Sequence, residues 1–360
     1  MNKDDYIFIS AKIRSLEPKI LDNIDIERMI NESDLFSAFK VLNDTNYCDN
    51  LLDAEPTQFR QVLADDLYQL FDFLQKYVPD QNLFKLILLS RDIINIRLCF
   101  KERLYGANIE KELKLNTIYD SRRLKDLVFE NHINDQESIR SYVNDKKGQI
   151  LDNEIKQIID DTFKEIDSKT RPDEIDSILT KKYFEASLKL ANSINNTFII
   201  DYYKSSIDVA NIMIWLRSKK MNLPKKKMVS KLIKGGKIDI YKIASFYPAT
   251  EDLQFPLYCT FVPYDVSALK VFINSAFDLK VVQAFENYCT NWNLLEMEKA
   301  LENYKIEMTK KVKNIPYGPE VVFVYYLTKL TANINTGIIL TGKINHISNE
   351  EIRKIICEVY

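Results

Sequence analysis

Asp92 and Asn95 stand one helical turn apart with Arg103 eight residues on, and Asp208, Asn211 and Lys219 repeat the arrangement. It occurs a third time as Ala332, Asn335 and Lys343, with the acid replaced. The asparagines lie 116 and then 124 positions apart. An acid and an amide at i and i+3 share one helical face. Two carboxylates so placed, with a cation nearby, would suit general acid–base work. Here the second member of each pair is an amide, and the third copy has no acid, so that chemistry fails. Ile207 and Ala210 flank the second pair, which makes its face half-buried. A carboxylate there must accept hydrogen bonds from a neighbouring helix or from the basic residue of an adjacent unit, because burying it unpaired costs several kcal/mol. Asp92, Asn95, Arg103, Asp208, Asn211, Lys219, Asn335 and Lys343 are therefore expected to be structural joints that fix the angle between packed helices. No catalytic, cofactor or metal-binding residue is expected.

Gly337-x4-Gly342-Lys343 opens like a phosphate-binding loop, but Ile344 follows where a hydroxyl would hold magnesium. Its body, Ile338-Ile339-Leu340-Thr341, is too bulky and apolar to wrap its main chain around phosphates, and no strand signal precedes it. The two histidines, His132 and His346, nearly exclude a zinc site or a histidine-based triad. The five cysteines have no C-x2-C spacing and read as buried free thiols of a reducing compartment. Lys225, Lys226, Lys227, Lys231, Lys234 and Lys237 form a run with no acid among them. It reads as a solvated face, or as a contact for an acidic partner or anionic lipid headgroups. Nucleic acid is not expected, since the net charge is -2 and no recognition motif is present.

The elements that must position these residues are helices throughout. Ile200, Tyr203, Ile207, Ala210 and Ile214 fall on one helical face, as do Leu67, Leu70, Phe71 and Leu74. Strand alternation is not sustained, and the best candidate, Leu257 to Val262, is bracketed by Pro256 and Pro263 and reads as a loop. Seven glycines in 360 residues are too few for a turn-rich barrel, propeller or dinucleotide fold, while 20 Tyr and 19 Phe point to aromatic packing between helices. Ile24-Asp25-Ile26-x2-Met29 matches Ile238-Asp239-Ile240-x2-Ile243, each after a break, and Asp25 and Asp239 read as helix-initiating acids. Breaks are expected near Gly106, at Lys220 to Pro224 and at Gly318-Pro319. The acid-rich stretch Asp152 to Asp176 reads as a solvated helix face with a loop at Arg171-Pro172. A chain with such internal repetition is expected to hold three similar helical units, 1-107, 108-222 and 223-360, the third with a C-terminal closing helix. The opening Met1-Asn2-Lys3-Asp4-Asp5 carries no secretory signal. The longest wholly apolar run, Val321 to Leu327, is far short of the roughly 20 residues a spanning helix needs.

Three ordered stretches resemble the C subunit of V/A-type rotary ATPases, related to the eukaryotic d subunit. They are Ala11-Lys12-Ile13-Arg14-Ser15-Leu16-Glu17 on through Asp25-Ile26-Glu27-Arg28-Met29 to Asp44-Thr45-Asn46-Tyr47; the inner Asp-x2-Asn units with Leu232-Ile233-Lys234-Gly235-Gly236-Lys237; and Gly318-Pro319-Glu320 with Ile339 to Asn345 and Glu350-Glu351-Ile352-Arg353. The family usually has Gly at Cys48, a carboxylate at Ala332 and arginine at Gly337. The resemblance implies an all-helical, funnel-like, pseudo-threefold arrangement of three domains around a socket. It implies a non-catalytic rotor part without cofactors, peripheral on the cytoplasmic face of the membrane. Its partners would be the central stalk subunits D and F in the socket and the membrane proteolipid ring at the wide end. The rival readings are a helical-repeat scaffold for another soluble partner, and an enzyme acting through Lys343 or through Asp92 and Asp208.

Overall fold

The computed structural model describes residues 2–48, 54–106, 108–109, 117, 121–130, 153–167, 169–247 and 263–359. Every regular element among them is helical. The chain forms two compact units, one of Met1–Leu83 with Ile194–Tyr360 and one of Phe84–Ser193. In chain order the α-helices are α1 (Ile7–Leu16), α2 (Asn23–Asn31), α3 (Leu35–Thr45), α4 (Phe59–Tyr77), α5 (Gln81–Tyr105), α6 (Ser121–Glu130), α7 (Asn153–Glu165) and α8 (Pro172–Ile194). They continue as α9 (Thr197–Lys220), α10 (Lys225–Lys231), α11 (Ile240–Ser245), α12 (Pro263–Ala276), α13 (Leu279–Asn291), α14 (Leu294–Lys310), α15 (Pro319–Ile344) and α16 (Asn349–Ile355). The loop expected at Leu257 to Val262, and His132 and Cys259, lie outside the described residues.

Local chemistry sets the helix ends. Asp22 caps α2 by accepting from the amides of Ile24 at 2.7 Å and Asp25 at 2.9 Å, and the Asp25 carboxylate reaches back to the Asp22 amide at 3.2 Å. This reciprocal pair satisfies amides that the first turn leaves open. Asp239 caps α11 through the Tyr241 amide, and Asn196 caps α9 through the Ile199 amide. Gly318 precedes α15 at φ 146, and Pro319 then opens the helix where no amide donor is needed. A chain with so few glycines ends other helices on asparagine, with Asn46 and Asn222 at φ 51 and 50.

The larger unit contains two apolar clusters. In one, Met29 and Ile30 of α2 and Phe39 and Leu42 of α3 pack against Ile339 and Leu340 of α15 and Ile352 of α16. In the other, Trp215 and Leu216 of α9 meet Met228, Ile243, Tyr247, Phe285, Tyr288, Met297 and Leu301. Trp215 and Tyr247 stack edge to face at 5.6 Å between ring centres, a favoured aromatic geometry. The smaller unit buries Cys99, Phe100, Leu124, Val128, Ile155, Ile159, Ile175 and Leu179. Phe100 and Phe163 approach to 4.8 Å, and Asp176 of α8 pairs with Lys101 of α5 at 2.9 Å. Within the stretch from Asp152, α7 ends at Glu165 and α8 begins at Pro172, and Asp160, Asp161, Glu165, Asp173 and Asp176 all retain solvent contact. Cys48 and Cys99 are buried free thiols, and Cys289 and Cys357 are half-buried free thiols. Among the described residues no helix is long and apolar enough to cross a membrane.

Candidate functional site

The three asparagines of the repeat occupy equivalent places on the three longest described helices. Asn95, Asn211 and Asn335 each lie nine or ten residues before the C-terminal end of a helix of 25, 24 or 26 residues. All three are buried. Asn211 donates Nδ2 to the Ile233 carbonyl at 2.8 Å and accepts the Ile233 amide on Oδ1 at 2.8 Å. Asn335 does the same with Cys357, donating at 2.8 Å and accepting at 3.1 Å. In both cases the partner lies 22 residues downstream. A primary amide carries one acceptor and one donor side by side, so it can replace both hydrogen bonds of a missing neighbouring strand. This clasp holds an irregular segment to a helix flank without leaving buried main-chain groups open.

Asp208 adds a second grip on the same segment as Asn211. It is 4% exposed and accepts the amides of Lys237 at 3.0 Å and Ile238 at 3.1 Å. Burial pushes its carboxyl up to about 6, against the pull of those amides and of the Lys237 charge. Ala332, the third-copy counterpart of Asp208, sits fully buried in the α2–α3–α15 cluster.

Lys343 reaches the end of α2, donating to the carbonyls of Ile30 at 2.6 Å and Glu32 at 2.5 Å and to Asn349 Oδ1 at 2.8 Å. A cation at a helix C-terminus satisfies orphan carbonyls and complements the dipole. Burial lowers its pKa. Gly337 and Gly342 lie inside α15, and a Cβ on Gly342 would come within 2.7 Å of Ile352 Cδ1. Gly342 thus permits helix packing, and Lys343 is committed to carbonyls, so no phosphate cradle forms here.

In the smaller unit, Arg103 donates to the Val128 carbonyl and lies over the Phe163 ring at 4.6 Å. Asp92 and Asn95 are wholly buried, and neither is without a partner. Lys219 is half-buried near the end of α9 and also has a partner. In the larger unit Asp208 and Asn211 share one segment, while Asn335 and Lys343 hold different ones. Among the described residues no His, Cys, Asp and Glu cluster could hold a metal ion.

Sequence reasoning missed a buried ion pair. Lys329 of α15 meets Asp66 of α4 at 2.9 Å, donates to the Tyr47 carbonyl at 3.0 Å and lies 3.7 Å from the Tyr47 ring centre. The pair lines a cleft of about 190 Å³ with Leu16, Gln69, Phe73 and Tyr325. The signal was available: Asp66 falls three residues after Leu63 and four before Leu70, on the buried face of α4. A second, mostly apolar groove of about 210 Å³ runs between Tyr202, Ile306, Leu327, Ile334 and Cys357, beside the Asn335 clasp.

Long helices whose buried amides and carboxylate clasp neighbouring irregular segments define an all-helical protein over the described residues. Residues 9–355 match the sequence profile of the ATP synthase (C/AC39) subunit family, and the chain belongs to that family. It is similar to the C subunit of the A-type ATP synthase of Methanocaldococcus jannaschii, 21% identical over 364 aligned residues that cover 98% of this chain and 86% of that protein. It is also similar to the C subunit of the V-type sodium ATPase of Enterococcus hirae, 18% identical over 356 residues and 99% of each chain. The resemblance carried by the ordered motifs is thus to the family shown.

Proposed function

We propose that this chain is a non-catalytic rotor subunit of a V/A-type ATPase, coupling the central stalk to the membrane proteolipid ring. ATP hydrolysis or synthesis would thereby drive or use the movement of protons or sodium ions. The observation that carries the reading is the family match over residues 9–355. The structure supports it in physical terms. A part that transmits torque must resist bending, and long helices with buried aromatic contacts and few glycines are stiff. The conspicuous polar residues of the larger unit hold its own main chain together.

On this reading three helical units, 1-107, 108-222 and 223-360, surround a socket in a funnel-like, pseudo-threefold arrangement. The socket receives the D and F stalk subunits, and the wide end rests on the ring at the cytoplasmic face. The repeat residues Asp92, Asn95, Arg103, Asp208, Asn211, Lys219, Asn335 and Lys343 act as joints, and no cofactor takes part. The test mixes the purified chain with the D and F subunits of the same genome, and separately with the detergent-solubilised ring, for size-exclusion chromatography with light scattering. A one-to-one-to-one complex with D and F is expected. Absence of binding to both stalk and ring, at micromolar concentration and low salt, would overturn the coupling role in favour of a scaffold for another partner.

A further inference from the structure

No acid occurs between Asp208 and Asp239. The interval holds Arg217, Lys219, Lys220, Lys225, Lys226, Lys227, Lys231, Lys234 and Lys237, nine cations. The whole chain has a net charge of -2, so the remainder carries -2 - 9 = -11. Such one-sided placement creates a local positive field that the global charge conceals.

The fold keeps much of this charge at the surface. In α10 only Met228 is fully buried, packed beneath the helix against the Trp215 cluster. Lys220, Lys226, Lys227, Lys234 and Lys237 are exposed, and Lys225 and Lys231 are half-exposed. Asn211 and Asp208 pin the main chain of Ile233, Lys237 and Ile238, so the turn from Lys234 to Lys237 is held outward on a fixed base. At the rim Arg217 pairs with Glu298 at 2.5 Å, and Lys237 stands 3.9 Å from Asp201. Among the cations, Met221, Val229 and Tyr241 expose 67%, 36% and 73% of their surfaces.

Two features select the occupant. Eight of the nine cations are lysines. Lysine is a hydrated point charge on a flexible stem, suited to a fluid array of phosphates, whereas fixed carboxylates on a protein favour the planar fork of arginine. Exposed apolar tips between cations also suit the boundary of headgroups and acyl chains, where both kinds of side chain find their preferred surroundings. We infer that residues 220–241 form a docking surface for anionic phospholipid headgroups, with Met221, Val229 and Tyr241 entering the interface and the lysines holding phosphates. The inference does not rest on the rotor assignment, and its test needs no stalk or ring component.

The experiment sediments the full chain with vesicles of phosphatidylcholine, alone or mixed with phosphatidylglycerol. Binding is expected only to the mixed vesicles and only at low salt, since screening weakens attraction of this kind. Each Lys→Gln substitution among Lys226, Lys227 and Lys234 should weaken binding roughly fivefold, and all three together about a hundredfold. Met221→Ser with Tyr241→Ser should weaken binding while leaving its salt dependence in place. Lys19→Gln, Lys311→Gln and Lys354→Gln together change the net charge equally and should bind like the parent. Thermal melts of all variants should match the parent, because the substituted side chains are exposed. Absence of binding to anionic vesicles, or binding unchanged by the triple substitution at residues 226, 227 and 234, would overturn the inference. Capture of the chain by polyglutamate but not by vesicles would overturn it in favour of an acidic protein partner.

Discussion

The Asp208 carboxylate occupies the space that a side chain on Gly236 would need: a Cβ built there would lie 2.1 Å from Asp208 Oδ1. Glycine lets the main chain close over the acid, so that the next two amides, of Lys237 and Ile238, point into its oxygens. Gly236→Ala should push the segment off its two donors and cost roughly 1–3 kcal/mol, as overpacking of a closed site does. Urea unfolding measures this directly. A variant as stable as the parent would show that the segment can shift without consequence.

The same acid should make stability depend on pH in the direction opposite to a salt-bridged carboxylate. Its folded pKa is raised from 3.8 to about 6, chiefly by burial. Between those values the folded chain keeps a proton that the unfolded chain has lost. Stability therefore falls as pH rises through that window, and the stabilisation is fully present only below it. The titratable neighbours are Lys237, which favours the anion, and the neutral Tyr304 of α14, whose own pKa is raised chiefly by burial and also by Asp208. Asp208→Asn is a non-titrating reference that turns an NH2 toward one amide donor. The parent's advantage over this variant should be largest near pH 4 and shrink by roughly 1–3 kcal/mol by pH 7. A constant difference would mean that the buried acid titrates alike in both states.

The clasp register makes a local prediction and a further one. Asn335→Ala leaves the half-buried Cys357 amide and carbonyl without their partner. It should cost about 1–3 kcal/mol, felt locally before globally. Hydrogen exchange at Cys357 and Glu358 should quicken at least tenfold, while exchange at Ile233, held by Asn211, stays as in the parent. The same step of 22 residues leads from Asn95 to Thr117. Asn95→Asp should accordingly quicken exchange at Thr117 first within the smaller unit, and protection unchanged there would limit the clasp to the two copies seen.

Lys343→Met keeps the apolar stem and removes three charged hydrogen bonds, two of them to the end of α2. A loss of about 2–4 kcal/mol is expected, because the Ile30 and Glu32 carbonyls lose a cationic partner in a half-dry site. The isolated parent should hydrolyse no ATP. Turnover that Lys343→Met abolishes would overturn both the capping role and the non-catalytic reading.

The helices were legible because their apolar spacing is a property of the residues themselves. The helix starts marked by Asp25 and Asp239 and the break at Gly318-Pro319 were legible for the same reason, since caps are local chemistry, although the cap of α2 itself is Asp22, with Asp25 in its first turn. The Asp-x2-Asn pattern also announced itself. What the asparagines hold did not, because Ile233 and Cys357 are recognised by main-chain atoms, which every residue has. Those partners lie in irregular segments, where no periodicity points back to a helix. The Asp66–Lys329 pair was hidden differently: each residue sits alone in an apolar register, and only the approach of α4 to α15 makes two anomalies into one ion pair.

Helix α15 has a consequence for the order in which the chain can mature. It completes the cluster begun by α2 and α3, and Lys343 seals α2 across 313 positions of sequence. On the ribosome, Met29, Ile30, Phe39 and Leu42 emerge long before Ile339, Leu340 and Ile352 exist to cover them. Contacts this distant form slowly, and the uncovered face is open to wrong partners while it waits. The larger unit must therefore finish folding after synthesis of α15, and nascent chains stopped before it should need chaperone protection that the complete sequence does not.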